Sequence, residues 1–203
     1  MRHIIYFSGK AQTSGNFDTT KLMEAGRMDI VIHSIIQSLF LSNSRREDTV
    51  VHLVFYGMPD PPKHIEIRLK NDTEISKKDI ATLIKKILYK YKEGKKNEVF
   101  PGCFVEKKSL LKVVEELDES GVDVFVLDEK GEDIRKIKIV EKGDVAFVLG
   151  DHDGFPDKEL KRLKKDYDIV TVGPKTYFAS QVVAVIQNEL DRRGIWILGS
   201  ILK

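Results

Sequence analysis

Apolar positions along this chain fall into short runs separated by stretches with a helical period. "HIIYF" (3–7) reads as a short buried strand. The polar segment at 8–27, "SGKAQTSGNFDTTKLMEAGR", is long for a connection in a compact domain, and such loops are usually functional or mobile. From Met28 the period becomes helical, with Val31, Ile32, Ile35, Ile36, Leu39 and Phe40 on a broad apolar stripe. "TVVHLVFYG" (49–57) reads as a strand broken by Gly57 and the prolines that follow. "HIEIRL" (64–69) alternates as a half-exposed strand would, and residues 76–93 carry a second helical stripe ending near Gly94.

The second half repeats the alternation. "GCFVEKK" (102–108) has a strand-like centre, and "SLLKVVEELDESG" is a helix with Ser109 as its cap and Gly121 as its stop. "VDVFVLD" (122–128), "VAFVLG" (145–150) and "DIVTVG" (168–173) read as three central strands. "IRKIKIV" (134–140) alternates cleanly, as an edge strand would. "DKELKRLKKDY" predicts a short basic helix, "TYFASQVVAVIQNELDRRG" a long final one, and "IWILGSIL" (195–202) a last apolar segment. Strands alternating with helices predict an α/β fold with a mainly parallel sheet and helices on both faces. The polar stretch 92–98 reads as a loop inside one domain covering 1–203.

Composition narrows the class. The chain has 203 residues, 41% hydrophobic and 33% charged, as expected of a soluble globular protein. No apolar run approaches the ~20 residues needed to span a bilayer, and the first residues do not read as a signal peptide. The single Cys103 excludes an internal disulfide and any multi-cysteine zinc site. A cytoplasmic protein is expected. The net charge of +2, from 34 basic and 32 acidic residues, does not by itself announce a nucleic-acid binder. Lysines nevertheless cluster at 85–96 and at 158–165, where a phosphate backbone could dock or water could simply solvate a helix face.

Candidate chemistry sits where the three central strands end: at Leu127-Asp128, at Leu149-Gly150-Asp151 and at Val172-Gly173-Pro174. Ligands of open parallel sheets gather at such carboxyl ends. Glycine at two of them lets backbone approach a flat ligand. No GxGxxG or GxxxxGK[ST] is present, so a nucleoside fits better than a group gripped through pyrophosphate. The turn "DHDGFP" could hold a metal through Asp151, His152 and Asp153. Consecutive residues rarely converge on one ion, and no metal is expected. The five apolar residues Val182–Ile186 make the final helix apolar nearly all round, which predicts cover on both sides, one by the sheet and one by a second copy in a homodimer. Asp29 and His33 share a face of the first helix, with Arg27 just before it, while Arg45 and Arg46 could hold phosphate. His3, His52 and His64 lie within strands and read as structural. Cys103 lacks the partners a thiol nucleophile needs.

"FVLGDHDGFP" followed by "VTVGPKTYFASQVVAVIQNELDRRG" resembles the SPOUT class of RNA methyltransferases. The long loop leading into "GRMDIVIHSI" and the "SRREDTVVHLVFYG" stretch resemble, within that class, the archaeal tRNA pseudouridine-54 N1-methyltransferases. The resemblance implies a C-terminal trefoil knot, a homodimer and S-adenosylmethionine as methyl donor. It places Leu127, Gly150 and the segment Val172, Gly173, Pro174, Lys175, Thr176, Tyr177 and Phe178 around the cofactor. Arg27 and Asp29 match an Arg-x-Asp signature, and Arg46 with Asp48 a second one. Val182 stands where some relatives carry cysteine, so no thiol acts there.

The implied reaction methylates N1 of pseudouridine 54 in the T-loop of tRNA. Uridine presents carbon rather than N–H at the same edge, which gives a physical basis for selectivity. Asp29 is the expected acceptor of the N1 proton. Arg27 and Arg46 are expected to grip RNA, and Asp151 or His152 to position the target base. A ribosomal-RNA pseudouridine N1-methyltransferase and a non-catalytic RNA-binding dimer are the alternatives.

Overall fold

The first apolar run forms β1 (Arg2–Ser8), and the sheet grows outward from it on both sides. The structure, a computed structural model, describes residues 1–70, 75–139 and 143–195. After β1 come α1 (Met28–Leu39), β2 (Thr49–Phe55), β3 (Lys63–Ile67), a single 3-10 turn and α2 (Ile80–Tyr89). Then follow β4 (Asn97–Phe100), β5 (Cys103–Glu106), α3 (Leu110–Glu119), β6 (Asp123–Asp133), β7 (Val145–Leu149), α4 (Asp157–Asp166), β8 (Asp168–Thr171) and α5 (Ala179–Arg192). The strand order is β4-β5-β3-β2-β1-β7-β6-β8. The five strands from β2 to β8 in that order run parallel, while β3, β5 and β4 extend the sheet antiparallel.

Both faces of the sheet are buried, so the strands alternate between two cores rather than between core and water. Ile4, Tyr6, Leu53, Phe147 and Leu149 face one core with α1, α2 and α5. Ile5, Phe7, Val54, Val126 and Val148 face the other, closed by Leu110, Val113 and Val114 of α3 and Leu163 of α4. The loop 9–27 is not loose. Ala11, Thr13, Phe17 and Ala25 are buried, and Thr13 Oγ1 donates to Gly57 O at 2.9 Å while accepting from the Asp60 amide at 2.9 Å.

Four expectations change. Residues 134–139 are not a strand, because other partners take their backbone. Arg193 at the end of α5 donates to Ile134 O at 2.6 Å and Ile137 O at 2.8 Å, and Asp133 closes a turn with the Lys136 amide and the Arg135 guanidinium. The alternation survives as burial of Ile134 and Ile139 around exposed Arg135 and Lys136. The edge itself belongs to β8, which reads as a central strand but, among the described residues, pairs only with β6. β3 is more buried than its alternation suggests, because β5 covers its outer side and β4 lies beyond. β4 lies in the stretch that reads as a loop. The apolar segment 196–202 lies outside the described residues.

Two polar devices bind the layers. Arg2, 2% exposed, donates to Ile195 O at 2.6 and 3.0 Å, to Gln187 Oε1 at 2.7 Å and to Asp191 Oδ1 at 2.8 Å. Burial opposes ionisation of Asp191, but Arg46 and Arg2 outweigh it and hold the carboxyl below its ordinary value. The second device is a row of imidazoles across the strands. His3 Nδ1 meets His52 Nε2, His52 Nδ1 meets His64 Nε2, and His64 Nδ1 meets Glu106 Oε1, each at 3.0 Å. Burial opposes the charge on Glu106, yet His64 and Lys108 pull its pKa down to about 2, so it can only accept. Neutral rings in this row must therefore each donate from Nδ1 and accept at Nε2.

Burial depresses all three histidine pKa values, that of His3 to about 4. The folded chain thus binds fewer protons than the unfolded chain below the ordinary imidazole value of 6.5. This contribution to stability is complete above pH 6.5 and is lost as the pH falls through about 4. Thermal unfolding followed across that interval is expected to show a falling Tm, with a smaller fall in His52→Gln. Asp191→Ala is expected to cost about 2 kcal/mol in urea unfolding, less than a fully buried pair, because Asp191 keeps contact with water.

Candidate active site

Parallel pairing sets the ends of β6, β7 and β8 side by side. Around them lies a cleft of about 670 Å³. Its floor is Leu127, Leu149, Gly150 and Val170 to Val172, and its walls come from the segment before α5 and from Phe155, Leu160 and Lys164. Ile30 of α1 closes the side nearest β1. Of the residues expected to surround a cofactor, Leu127, Gly150, Val172, Lys175, Thr176, Tyr177 and Phe178 line this cleft, as do Asp151 and His152. Gly173 and Pro174 belong to the same segment but do not line it.

Strand β6 does not stop at Asp128. It bulges after Leu127 and pairs again with β8 at Glu132 and Asp133. Gly131 makes this second pairing possible, since a Cβ there would lie 2.4 Å from the backbone carbon of Val170. Asp128 is fixed by Lys164 at 2.6 Å, and Glu129 accepts from the Thr176 hydroxyl. Lys164 was legible only as part of a basic helix face. Its partner Asp128 at the strand end was the available signal.

The turn after β7 is built around one carboxylate. Register sets Tyr6 beside Leu149, so Ser8 and Asp151 project at the same level two residues further on. Asp151 Oδ2 accepts from Ser8 Oγ at 2.8 Å and the Gly9 amide at 3.0 Å, and Oδ1 accepts from the Asp153 amide at 2.9 Å. The Gly154 amide donates to Asp151 O at 3.0 Å, and a Cβ on Gly150 would come within 3.0 Å of Gly154. Gly150 is thus needed for the turn to fold back as well as for access to its backbone. Lys10 Nζ contacts Asp153 at 2.6 Å, and His152 Nε2 lies 3.6 Å from the same carboxylate. Asp151, His152 and Asp153 can present ligand atoms within 4.8 Å of one another. Both oxygens of Asp151 already serve the protein, so a cation there would compete with the contacts that hold β1 to β7.

Arg27 and Asp29 do not line the cleft themselves; Arg27 caps α1 with φ 63° and ψ 39°, a left-handed conformation that costs a non-glycine residue energy. The twist turns its guanidinium back onto Asp29, with Nε to Oδ1 at 3.1 Å and Nη2 to Oδ2 at 3.0 Å. This fork holds the Asp29 carboxyl below its ordinary value. Asp29 directly precedes the cleft residue Ile30. Near it, the buried Tyr6 hydroxyl makes no hydrogen bond to the described residues, and burial, with the Asp151 and Asp29 carboxylates, opposes its ionisation. Nothing in the sequence separates Tyr6 from its apolar neighbours in β1.

Arg46 is not brought to this cleft. It lies before β2, at the opposite end of the parallel strands, and forks onto Asp191 at 2.6 and 2.7 Å, while Asp48 faces Arg2 at 3.2 Å. Arg45 donates to Ile75 O at 2.7 Å. Cys103 is buried, which pushes its thiol up to about 12 and leaves it unsuited to nucleophilic attack.

The cleft suits an adenosine-bearing sulfonium. Its walls combine apolar Leu127, Leu149 and Val172 for a flat ring with strand-end backbone for polar edges. Comparison with known proteins points the same way. Residues 1–195 match the family described as "Putative SAM-dependent RNA methyltransferase". The chain is 35% identical over 199 residues to the tRNA (pseudouridine(54)-N(1))-methyltransferase of Methanococcoides burtonii, covering 95% of this chain and 96% of that one. The enzyme of the same name from Pyrococcus abyssi is 32% identical over 208 residues, covering 96% and 100%. Archaeoglobus fulgidus Nep1, solved bound to S-adenosylhomocysteine, has the same fold with a TM-score of 0.64 and 17% identity, over 95% of this chain and 98% of that one. The SPOUT resemblance read from the sequence is borne out, and with a match that runs from the first residue to the end of the described chain, the protein belongs to the S-adenosylmethionine-dependent RNA methyltransferases.

Proposed function

We propose that this chain methylates N1 of pseudouridine 54 in the T-loop of tRNA, as the names of its near-full-length relatives state for them. The observation that supports the residue assignment is the Arg27–Asp29 fork at the start of α1, immediately before Ile30, which lines the strand-end cleft. Leu127, Gly150, Val172 and the segment through Phe178 would hold S-adenosylmethionine, which supplies an electrophilic methyl group. Asp29 accepts a hydrogen bond from N1–H of the base and takes its proton as the N1–methyl bond forms. Arg27 keeps Asp29 ionised and fixes the direction of its lone pairs. A carboxylate held this low is a weak base, so its contribution is orientation first and proton acceptance second.

The remaining expectations belong to the same proposal. The chain acts in the cytoplasm as a single domain spanning 1–203, without a resident metal. A C-terminal trefoil knot fits the path of the chain. β6 bulges after Leu127 and pairs a second time with β8, with Gly131 close against the Val170 backbone, and α5 packs on α1. A homodimer through α5 fits the apolar surface left there: Val183 and Ile186 face the core, whereas Val185 is 38% and Phe178 64% exposed. Among the described residues no helix is long and apolar enough to cross a membrane.

Asp29→Asn is expected to lower turnover on a pseudouridine-containing tRNA at least about 100-fold with S-adenosylmethionine binding retained. An unchanged rate would remove Asp29 from the mechanism. Because Asp29 is ionised down to below its ordinary value, wild-type turnover should show no acid limb from this group near neutrality. In Arg27→Gln the limb should move up toward a pKa of about 3.9, read from a pH–rate profile.

A further inference from the structure

One exposed aromatic lies far from the cleft machinery and has no structural partner to explain it. Tyr89 ends α2 with 79% of its surface exposed. Thr82, Lys86, Tyr89 and Lys90 share one helix face, and with Lys85 and Thr19 they line a shallow depression. Lys85 is committed to the fold, donating to Phe17 O at 2.7 Å. Lys86 and Lys90 form no ion pair within 4 Å among the described residues, and Lys90 lies over the Phe100 ring at 5.2 Å. From Ile80 to Lys96 the chain carries six lysines against Glu93 alone.

We propose that this face of α2 is a second RNA-docking surface, with Tyr89 stacking an unpaired base and Lys86 and Lys90 contacting the adjoining phosphates. The inference rests on RNA being the substrate. An exposed ring among ammonium groups outside such ion pairs suits single-stranded nucleic acid, whose bases offer stacking faces and whose backbone offers charge. Four residues of helix separate Lys86 from Lys90 by about 6 Å along the axis, close to two nucleotide rises of about 3.4 Å. The patch is mechanically continuous with the candidate active site. The loop from Gly9 to Arg27 packs its Gly15 against the backbone of Lys85 and Tyr89, where a Cβ would come within 2.4 Å, and then leads to Arg27 at the start of α1. RNA bound on α2 would extend along this loop toward Asp29.

The test is tRNA binding to the full chain, measured by filter retention at several salt concentrations, alongside turnover at saturating tRNA. Tyr89→Ala should weaken binding roughly tenfold, and Tyr89→Phe should restore it. Lys86→Ala with Lys90→Ala should reduce the log–log salt slope by about 1.5. All three side chains are exposed, so Tm should not change, and turnover at saturation should match wild type. Wild-type affinity in Tyr89→Ala would overturn the proposal while leaving the methyltransferase assignment standing. A change in the sedimentation of free Tyr89→Ala would also overturn it, by showing the patch to be a contact between copies. Failure of the wild type to bind or methylate tRNA would overturn the substrate reading and this surface together.

Discussion

The hydrogen bonds from Ser8 and Gly9 to Asp151 are the constraint on which the candidate site rests. They join the carboxyl ends of β1 and β7 at the point where both chains leave the sheet. On one side they fix the start of the loop that ends at Gly26 and Arg27. On the other they fix the turn at 150–154 that forms part of the cleft wall. Two segments far apart in sequence are thereby held in one frame. Asp151 in this structure supports the site from behind, through its contacts with the protein.

The fork between Arg27 and Asp29 shows what such support achieves. Its left-handed cap is a conformation that an arginine does not adopt without compensation, and the docked loop supplies it through buried Ala11, Phe17 and Ala25. The electrostatic consequence is a trade. The guanidinium secures the ionised form of Asp29 and weakens it as a base. That suits a reaction in which the electrophile is already activated and alignment of the nucleophile matters more than basicity.

Much of this was legible in the sequence because period and burial agreed. Seven strands and the helices between them follow from apolar runs bounded by Gly, Pro and capping residues, and the cleft follows from where three of those runs stop. The failures have physical causes. The alternation at 134–140 has the right period but not free backbone, since Arg193 claims two of its carbonyls. β8 reads as central because it is apolar, yet among the described residues it is the last strand of the sheet. Arg46 looked like a substrate ligand because of its company in sequence. Its fork with Asp191 depends on a residue 145 positions away, which no local pattern reveals. The continuation of β6 past Asp128 was hidden for a similar reason, as Gly131 is explained by its close approach to the Val170 backbone of β8.

The row of imidazoles spanning β1, β2 and β3 carries a further consequence. Three neutral rings linked end to end could order their protons in either of two opposite senses, and a row free to choose would fluctuate between them. The carboxylate of Glu106 is an acceptor only, so it selects one sense and aligns three ring dipoles head to tail across the sheet. A single charge on β5 thus removes a configurational degeneracy as far as β1, three strands away inside the sheet.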